Sequence, residues 1–217
     1  AIVFDSSTLI SIATNNLLWT LPLLKKKFNG EFYITESVKS EVIDRPLQSK
    51  RFKLEAMQIL SMVAEGVIKV YKSEELRNKS QKITDIINSI YLANDHYIKI
   101  IQKAEVESLI LSAMLDCTFA VDERTMRVFV EDYKGLLSIF ANKLHIDVKV
   151  NEKNLNIVRM EVHKVNIIRS VELMTIAYKL GMLNSYLNPE EKNIINIDLK
   201  KSLLDGLLWG LRLRGCS

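Results

Sequence analysis

What most constrains this chain is an alternation along its length. Short runs rich in β-branched and aromatic residues, at positions 2–4, 31–34, 67–71, 118–121 and 146–150, are separated by longer stretches of helical periodicity. Those stretches lie near 7–19, 36–44, 51–65, 81–93, 104–116 and 125–143. Alternation of this kind predicts an α/β layer fold with a largely parallel sheet. The boundary residues agree. Asn29-Gly30 and Glu65-Gly66 are helix stops just ahead of strands. Arg45-Pro46 is expected to end the second helix, because the residue before proline is pushed out of the α region. Seven glycines and three prolines in 217 residues fall well below the roughly 12% of average usage, too few turns for a multi-stranded sandwich.

From about Asn151 the strand signals fade. Residues 167–180 and 200–213 read as two amphipathic helices, with Asn188-Pro189-Glu190-Glu191 opening the turn between them. The expected organisation is therefore a main domain over 1–150 and a helical extension over 151–217 packed on it. In the extension Leu203, Leu204, Leu207, Leu208 and Leu211 recur at helical spacing, with Trp209 and Trp19 adding apolar area. Core packing is the first use of such a stripe and a homodimer contact the second. The formal net charge of +4 is too small to argue nucleic-acid binding by itself. No apolar run reaches the ~18–20 residues that span a bilayer. The opening residues lack the basic start of a secretory leader. Cys117 and Cys216 form no metal-type spacing, and His96, His145 and His163 no zinc motif. A reducing, cytoplasmic setting without membrane contact is expected.

The acidic residues carry the functional signal. Asp5 follows Ile2-Val3-Phe4 at the end of the first strand, and Asp122 and Glu123 follow Phe119-Ala120-Val121 in the same way. In an open parallel sheet, ligands collect beyond the carboxyl ends of the strands, where the strand order switches. Asp5 also suits the simpler task of capping the next helix. Glu41 lies about 60° from the centre of the stripe formed by Ile34, Val38 and Val42, so it borders the buried side or a solvated flank. Glu107 falls among Ile110, Leu111 and Met114 on the apolar side of its helix, where a lone carboxylate needs a cation, a metal or a proton. Attraction to the positive helix start is the alternative account, and it suits Glu105 better than Glu107. An oxygen-only cluster of this kind fits Mg²⁺ or Mn²⁺, and its natural chemistry is metal-assisted phosphodiester hydrolysis.

Taken in order, these segments resemble the PIN-domain nucleases over roughly residues 1–130. The resemblance rests on Ile2-Val3-Phe4-Asp5-Ser6-Ser7-Thr8-Leu9-Ile10, on Glu41 within its helix, on Ala104-Glu105-Val106-Glu107-Ser108-Leu109, and on Val121-Asp122-Glu123-Arg124-Thr125-Met126-Arg127. Ala104 stands where many relatives with the double-acid pattern have Gly. The tail is similar to the helical extension of larger, archaeal-like members. The resemblance implies a three-layer α/β/α fold and a divalent-metal-dependent endoribonuclease acting on RNA, single-stranded by preference. Asp5, Glu41, Glu107 and Asp122 would be the core acids, with Asp5, Glu107 and Asp122 binding metal directly. Glu41 would act through water or orient the nucleophile. Glu105 and Glu123 would be accessory or alternative ligands, and Ser7 would hold Asp5 or a metal-bound water. Lys103, Arg124 and Arg127 would meet phosphates. A protein inhibitor is a further partner such an enzyme can have.

Two other classes compete. One is a non-catalytic RNA-binding or assembly module on the same scaffold, since a fold does not establish an activity. The other is an aspartyl-nucleophile phosphatase, whose first-strand Asp is followed two residues later by a second Asp. Here that position is Ser7.

Overall fold

The computed structural model describes residues 1–144, 147–187 and 197–215. In chain order the first elements are β1 (Ile2–Phe4), α1 (Ser6–Thr14), α2 (Thr20–Phe28), β2 (Phe32–Thr35) and α3 (Glu36–Lys39). A π-helical turn over Ser40–Asp44 leads into α4 (Arg45–Gln48), α5 (Lys53–Ala64), β3 (Ile68–Tyr71) and α6 (Glu74–Ile87). Then come β4 (Tyr91–Ala93), β5 (His96–Tyr97), α7 (Lys103–Met114), β6 (Thr118–Ala120), α8 (Arg124–Glu131) and α9 (Tyr133–Leu144). The chain closes with β7 (Val148–Val150), α10 (Glu152–Val162), β8 (Ile167–Ile168), α11 (Ser170–Lys179), a 3-10 turn over Met182–Tyr186, and α12 (Leu199–Gly215).

The fold is α/β, with a five-stranded parallel sheet in the order β3-β2-β1-β6-β8 and a small antiparallel sheet, β5-β4-β7. Strand alternation divides the core in two. Ile2, Phe4, Phe32, Ile34, Ile68 and Ala120 join one apolar cluster with residues of α1, α2, α5, α11 and α12. Val3, Phe119 and Val121 join the other with residues of α6, α7, α8 and α10. Because side chains point to opposite faces at period two, three buried residues in a row at β1 mean a strand covered on both sides. Leu207 and Leu211 are buried in the first cluster and Leu203 packs on it, whereas Leu208 and Trp209 are exposed. The stripe on α12 is therefore core packing along one edge. A Cβ on Gly210 would come within 2.5 Å of Asn15 Oδ1, so glycine permits the close approach of α12 to the end of α1. Among the described residues no helix is long and apolar enough to cross a membrane.

Several elements differ from the sequence expectation, each for an identifiable reason. Residues 7–19 are broken after Thr14, because Asn16 adopts a left-handed conformation with φ 57°. The stretch 81–93 begins earlier, where Ser73 Oγ accepts the Leu76 N–H, and its last part is β4. The hairpin β4–β5 turns on Asn94 and Asp95, both at positive φ, the pairing a two-residue primed turn requires. The described part of 146–150 is β7, which pairs antiparallel with β4 rather than joining the parallel sheet. Asp132 accepts the Gly135 N–H and divides 125–143 into two helices. Pro46 does not end the second helix: the chain continues through the π-turn into α4. Ile167–Ile168 is strand rather than helix, so the C-terminal segment supplies the fifth strand of the main sheet. His145, Ile146, the turn at residues 188–191 and Cys216 lie outside the described residues.

Candidate active site at the carboxyl edge of the sheet

The strand order reverses between β1 and β6, and a crevice beyond their carboxyl ends is the place where such sheets bind ligands. The two strands run in register, Phe4 beside Ala120, and the Asp5 N–H donates to the Ala120 carbonyl at 2.9 Å. Asp5 and Asp122 thus emerge side by side, at 2% and 1% exposure.

Asp5 caps α1 and keeps one oxygen in reserve. Its Oδ2 accepts the Ser7 N–H at 3.0 Å and the Ser7 hydroxyl at 2.6 Å. Its Oδ1 is buried with no hydrogen-bond partner among the described residues. Burial pushes the Asp5 pKa up, and the Glu41 carboxylate adds to that shift. Ser7 Oγ, besides donating to Asp5, accepts the N–H of Asp122 at 3.0 Å and of Glu123 at 3.3 Å. A hydroxyl has one donor and two lone pairs, so Ser7 is fully used in stitching the two strand ends together. Of its two sequence-derived roles, the geometry provides the holding of Asp5.

Asp122 is bound to a segment that sequence reasoning did not connect with it. Its Oδ1 accepts the Ser170 N–H at 2.8 Å and its Oδ2 the Ser170 hydroxyl at 2.5 Å. These donors stand at the start of α11, where the helix dipole also favours a carboxylate. Glu123 caps α8 by accepting the Met126 N–H at 2.6 Å.

Glu41 comes from the π-turn. The Arg45 N–H reaches back to the Ser40 carbonyl, and Glu41 Oε2 accepts the Ser6 hydroxyl at 2.6 Å. Glu107, 5% exposed, has no partner for Oε2 among the described residues and lines a cleft of about 470 Å³ together with Glu41. Thr8 Oγ1 and Ser108 Oγ are buried and also lack a partner among the described residues. Unpaired buried polar atoms are therefore found at the cap and first turn of α1 and in the second turn of α7, where water or an ion would satisfy them. Among the described residues, no group of three or more acidic, His or Cys side chains is arranged to hold a metal ion.

Glu105, like Asp5, is perturbed toward neutrality. Its Oε2 accepts the Gln102 N–H at 2.8 Å. Burial raises its pKa to about 7, Asp5, Glu123 and Glu41 add to the rise, and the Gln102 N–H opposes it. The carboxylates of Asp5, Glu41, Glu105 and Glu123 thus share one electrostatic environment. A pH dependence follows. A carboxyl whose folded pKa exceeds its unfolded one contributes stability below about pH 4.5, and loses it as pH rises through about 7. Glu105→Gln keeps an acceptor for Gln102 and removes the titration. In metal-free denaturation from pH 4.5 to 8, it is expected to flatten the wild-type fall by ~3 kcal/mol. An unaltered slope would contradict the assignment.

Of the three basic residues singled out in the sequence, Lys103 is exposed at the cleft and Arg124 is exposed on α8. Arg127 has a buried Nε with no partner among the described residues, and it lies near enough to Glu172 on α11 to add to the lowering of that pKa which the Arg169 hydrogen bonds produce against burial. Sequence reasoning did not single out Ser6, Arg45, Arg77 or Ser170 as site residues. The hydroxyl run Ser6-Ser7-Thr8 was a visible signal, and the apolar pair Ile167-Ile168 followed by Ser170 repeats the strand-then-hydroxyl pattern of residues 2–6. No known protein family, curated protein or solved structure matches the chain.

Proposed function

We propose that this chain is a divalent-metal-dependent endoribonuclease with a PIN-like three-layer fold, hydrolysing single-stranded RNA at the β1–β6 crevice. The observation that carries the reading is the pair of buried carboxylate oxygens without partners, Asp5 Oδ1 and Glu107 Oε2, on two elements linked through Glu41. Glu41 adds to the rise of the Asp5 pKa and Asp122 emerges beside Asp5; a hydroxyl or amide ligand would not relieve that negative charge, whereas a hard dication would. On that donor chemistry the residues fit Mg²⁺ or Mn²⁺, which when bound lowers the pKa of an attacking water and stabilises the leaving oxygen.

The chain's own residues then have separate tasks. Asp5 and Glu107, each with a buried oxygen that has no partner among the described residues, would hold the ion. Ser7 fixes Asp5 by its other oxygen, and Ser6 holds Glu41, which would orient the attacking water. Glu105, with a pKa of about 7, is matched to exchanging a proton with that water at neutral pH. Ser170 holds Asp122, which with Glu123 completes the anionic wall.

Two observations favour the non-catalytic RNA-binding module. Both Asp122 oxygens already have donors, and no three acids are preassembled among the described residues. A titration of the chelator-treated protein with MnCl₂, followed by incubation with an end-labelled single-stranded RNA, separates the two. Saturable Mn²⁺ binding with chelator-sensitive cleavage supports the nuclease. RNA binding indifferent to Mn²⁺, with the strand left intact, supports the module.

A further inference from the structure

The cleft of about 470 Å³ beside the acids has a composition that the metal alone does not explain. Its buried floor is Glu107, with Glu41 beside it, while its rim carries Arg45, Arg77 and Lys103. Arg77 is bound to Glu36 at 2.9 Å, and Glu36 also holds Lys72. Arg45 and Lys103 are exposed and enter no ion pair among the described residues. They line the same cleft from two elements, the start of α4 and the start of α7. The positive end of the α7 dipole opens on the same cleft through Gln102, Lys103 and Ala104. The wall thus offers cationic and N–H donors at the mouth and carboxylates within. That gradient suits a polyanion whose neighbouring unit lies over the acids.

We propose that this cleft is a phosphate subsite, in which Arg45 and Lys103 clasp one phosphate of a single RNA strand next to the linkage over the carboxylates. The assignment rests on the endoribonuclease reading and names the part of the substrate that this edge of the site takes. Its volume is that of a pocket for one small unit, so a flexible strand with a splayed nucleotide enters where a duplex does not. Arg45 supplies a planar fork to two phosphate oxygens, and Lys103 a point charge at the helix start.

The test uses a fluorescein-labelled, uncleavable 2′-O-methyl RNA oligonucleotide, with anisotropy read over a salt series. Arg45→Ala/Lys103→Ala together are expected to weaken binding roughly tenfold and to lower the salt slope by about 0.7, the value for one phosphate on a single strand. Mn²⁺ binding should be retained, and Lys26→Ala on α2 should behave as wild type. A neutral methylphosphonate walked along the oligonucleotide should weaken wild-type binding at one position, and have no effect there in the double variant. Wild-type affinity and slope in the double variant would overturn the subsite, as would equal sensitivity of both proteins at every linkage. Absence of Mn²⁺ binding and cleavage by wild type would sink the nuclease reading instead; the methylphosphonate walk then decides the subsite by itself.

Discussion

Asp5→Asn is expected to remove Mn²⁺-dependent RNA cleavage, by about 10³-fold or more, while leaving the fold intact. The size follows from what a bound dication supplies to a phosphodiester transition state, several kcal/mol at tenfold per ~1.4 kcal/mol. The fold survives because Asn is as good a helix cap as Asp, and its amide oxygen can accept both the Ser7 N–H and the Ser7 hydroxyl. That orientation turns the amide nitrogen, a donor, into the place of the unpartnered Oδ1, where it opposes a cation. The stability change has a definite sign. Burial raises the Asp5 pKa, so its stabilising contribution is complete below the unfolded value of 3.8 and is lost as pH rises through the raised folded value. At neutral pH without metal the variant should therefore melt at the wild-type temperature or above it. Mn²⁺ should shift the melting of wild type upward and leave Asp5→Asn unmoved. Full cleavage by the variant, in a preparation shown free of contaminating ribonuclease, would end the assignment.

The parts of this site that the sequence displayed are those set by strand register. Ile2-Val3-Phe4 is apolar at every position, which only a central strand covered on both faces tolerates, and an acid directly after such a strand must emerge at the carboxyl edge. The same reasoning placed Asp122. What stayed hidden depended on backbone details or on distant segments. The π-turn that carries Glu41 has a cause in Pro46. Proline offers no N–H to the carbonyl four residues earlier, that of Val42, and its ring crowds that carbonyl. The helix therefore widens over Ser40–Asp44 instead of stopping, and a widened turn changes the direction of each side chain it carries. Helical phase measured from Ile34 could not include that insertion. Periodicity separates Glu107, on the apolar side of its helix, from Glu105 at the helix start, but it gives no sign of the charges that other elements bring to Glu105. Glu105 occupies the third helical position and caps α7, close enough to Asp5, Glu123 and Glu41 for all three to raise its pKa. Glu107 sits buried in the cleft wall. That part of their difference lies in what other elements bring to them. The same holds for Asn16, Asn94 and Asp95, whose positive φ values are tolerated by short polar side chains but not announced by a glycine.

The larger structural consequence concerns Ser170, and Ser170→Asp is expected to be the most damaging single change to stability at the site. Ser170 stands 48 residues from Asp122 and gives it both a backbone and a hydroxyl hydrogen bond, in a position where both residues are buried. A second carboxylate there would face Asp122 with no cation between them. The cost of an uncompensated buried charge, about 3–5 kcal/mol, would reach the folded sheet itself, because β8 ends at Ile168 and α11 begins at Ser170. Ser170→Ala separates position from stability. It deletes the hydroxyl donor and keeps the N–H, so the fold should lose ~1–3 kcal/mol in urea denaturation. Asp122, which completes the anionic wall of the proposed ion site, would then be held by fewer donors, and Mn²⁺ affinity is expected to fall by roughly 10–100-fold, as when a supporting hydrogen bond around a metal site is removed. Ser170→Thr restores the hydroxyl and should restore Mn²⁺ binding with it. A purely structural Ser170 would give the stability loss without the Mn²⁺ loss, and that result would detach Asp122 from the ion. If the two losses occur together, the fifth strand and α11 belong to the active site as much as β1 does: the segment that closes the sheet also fixes the acid at its edge.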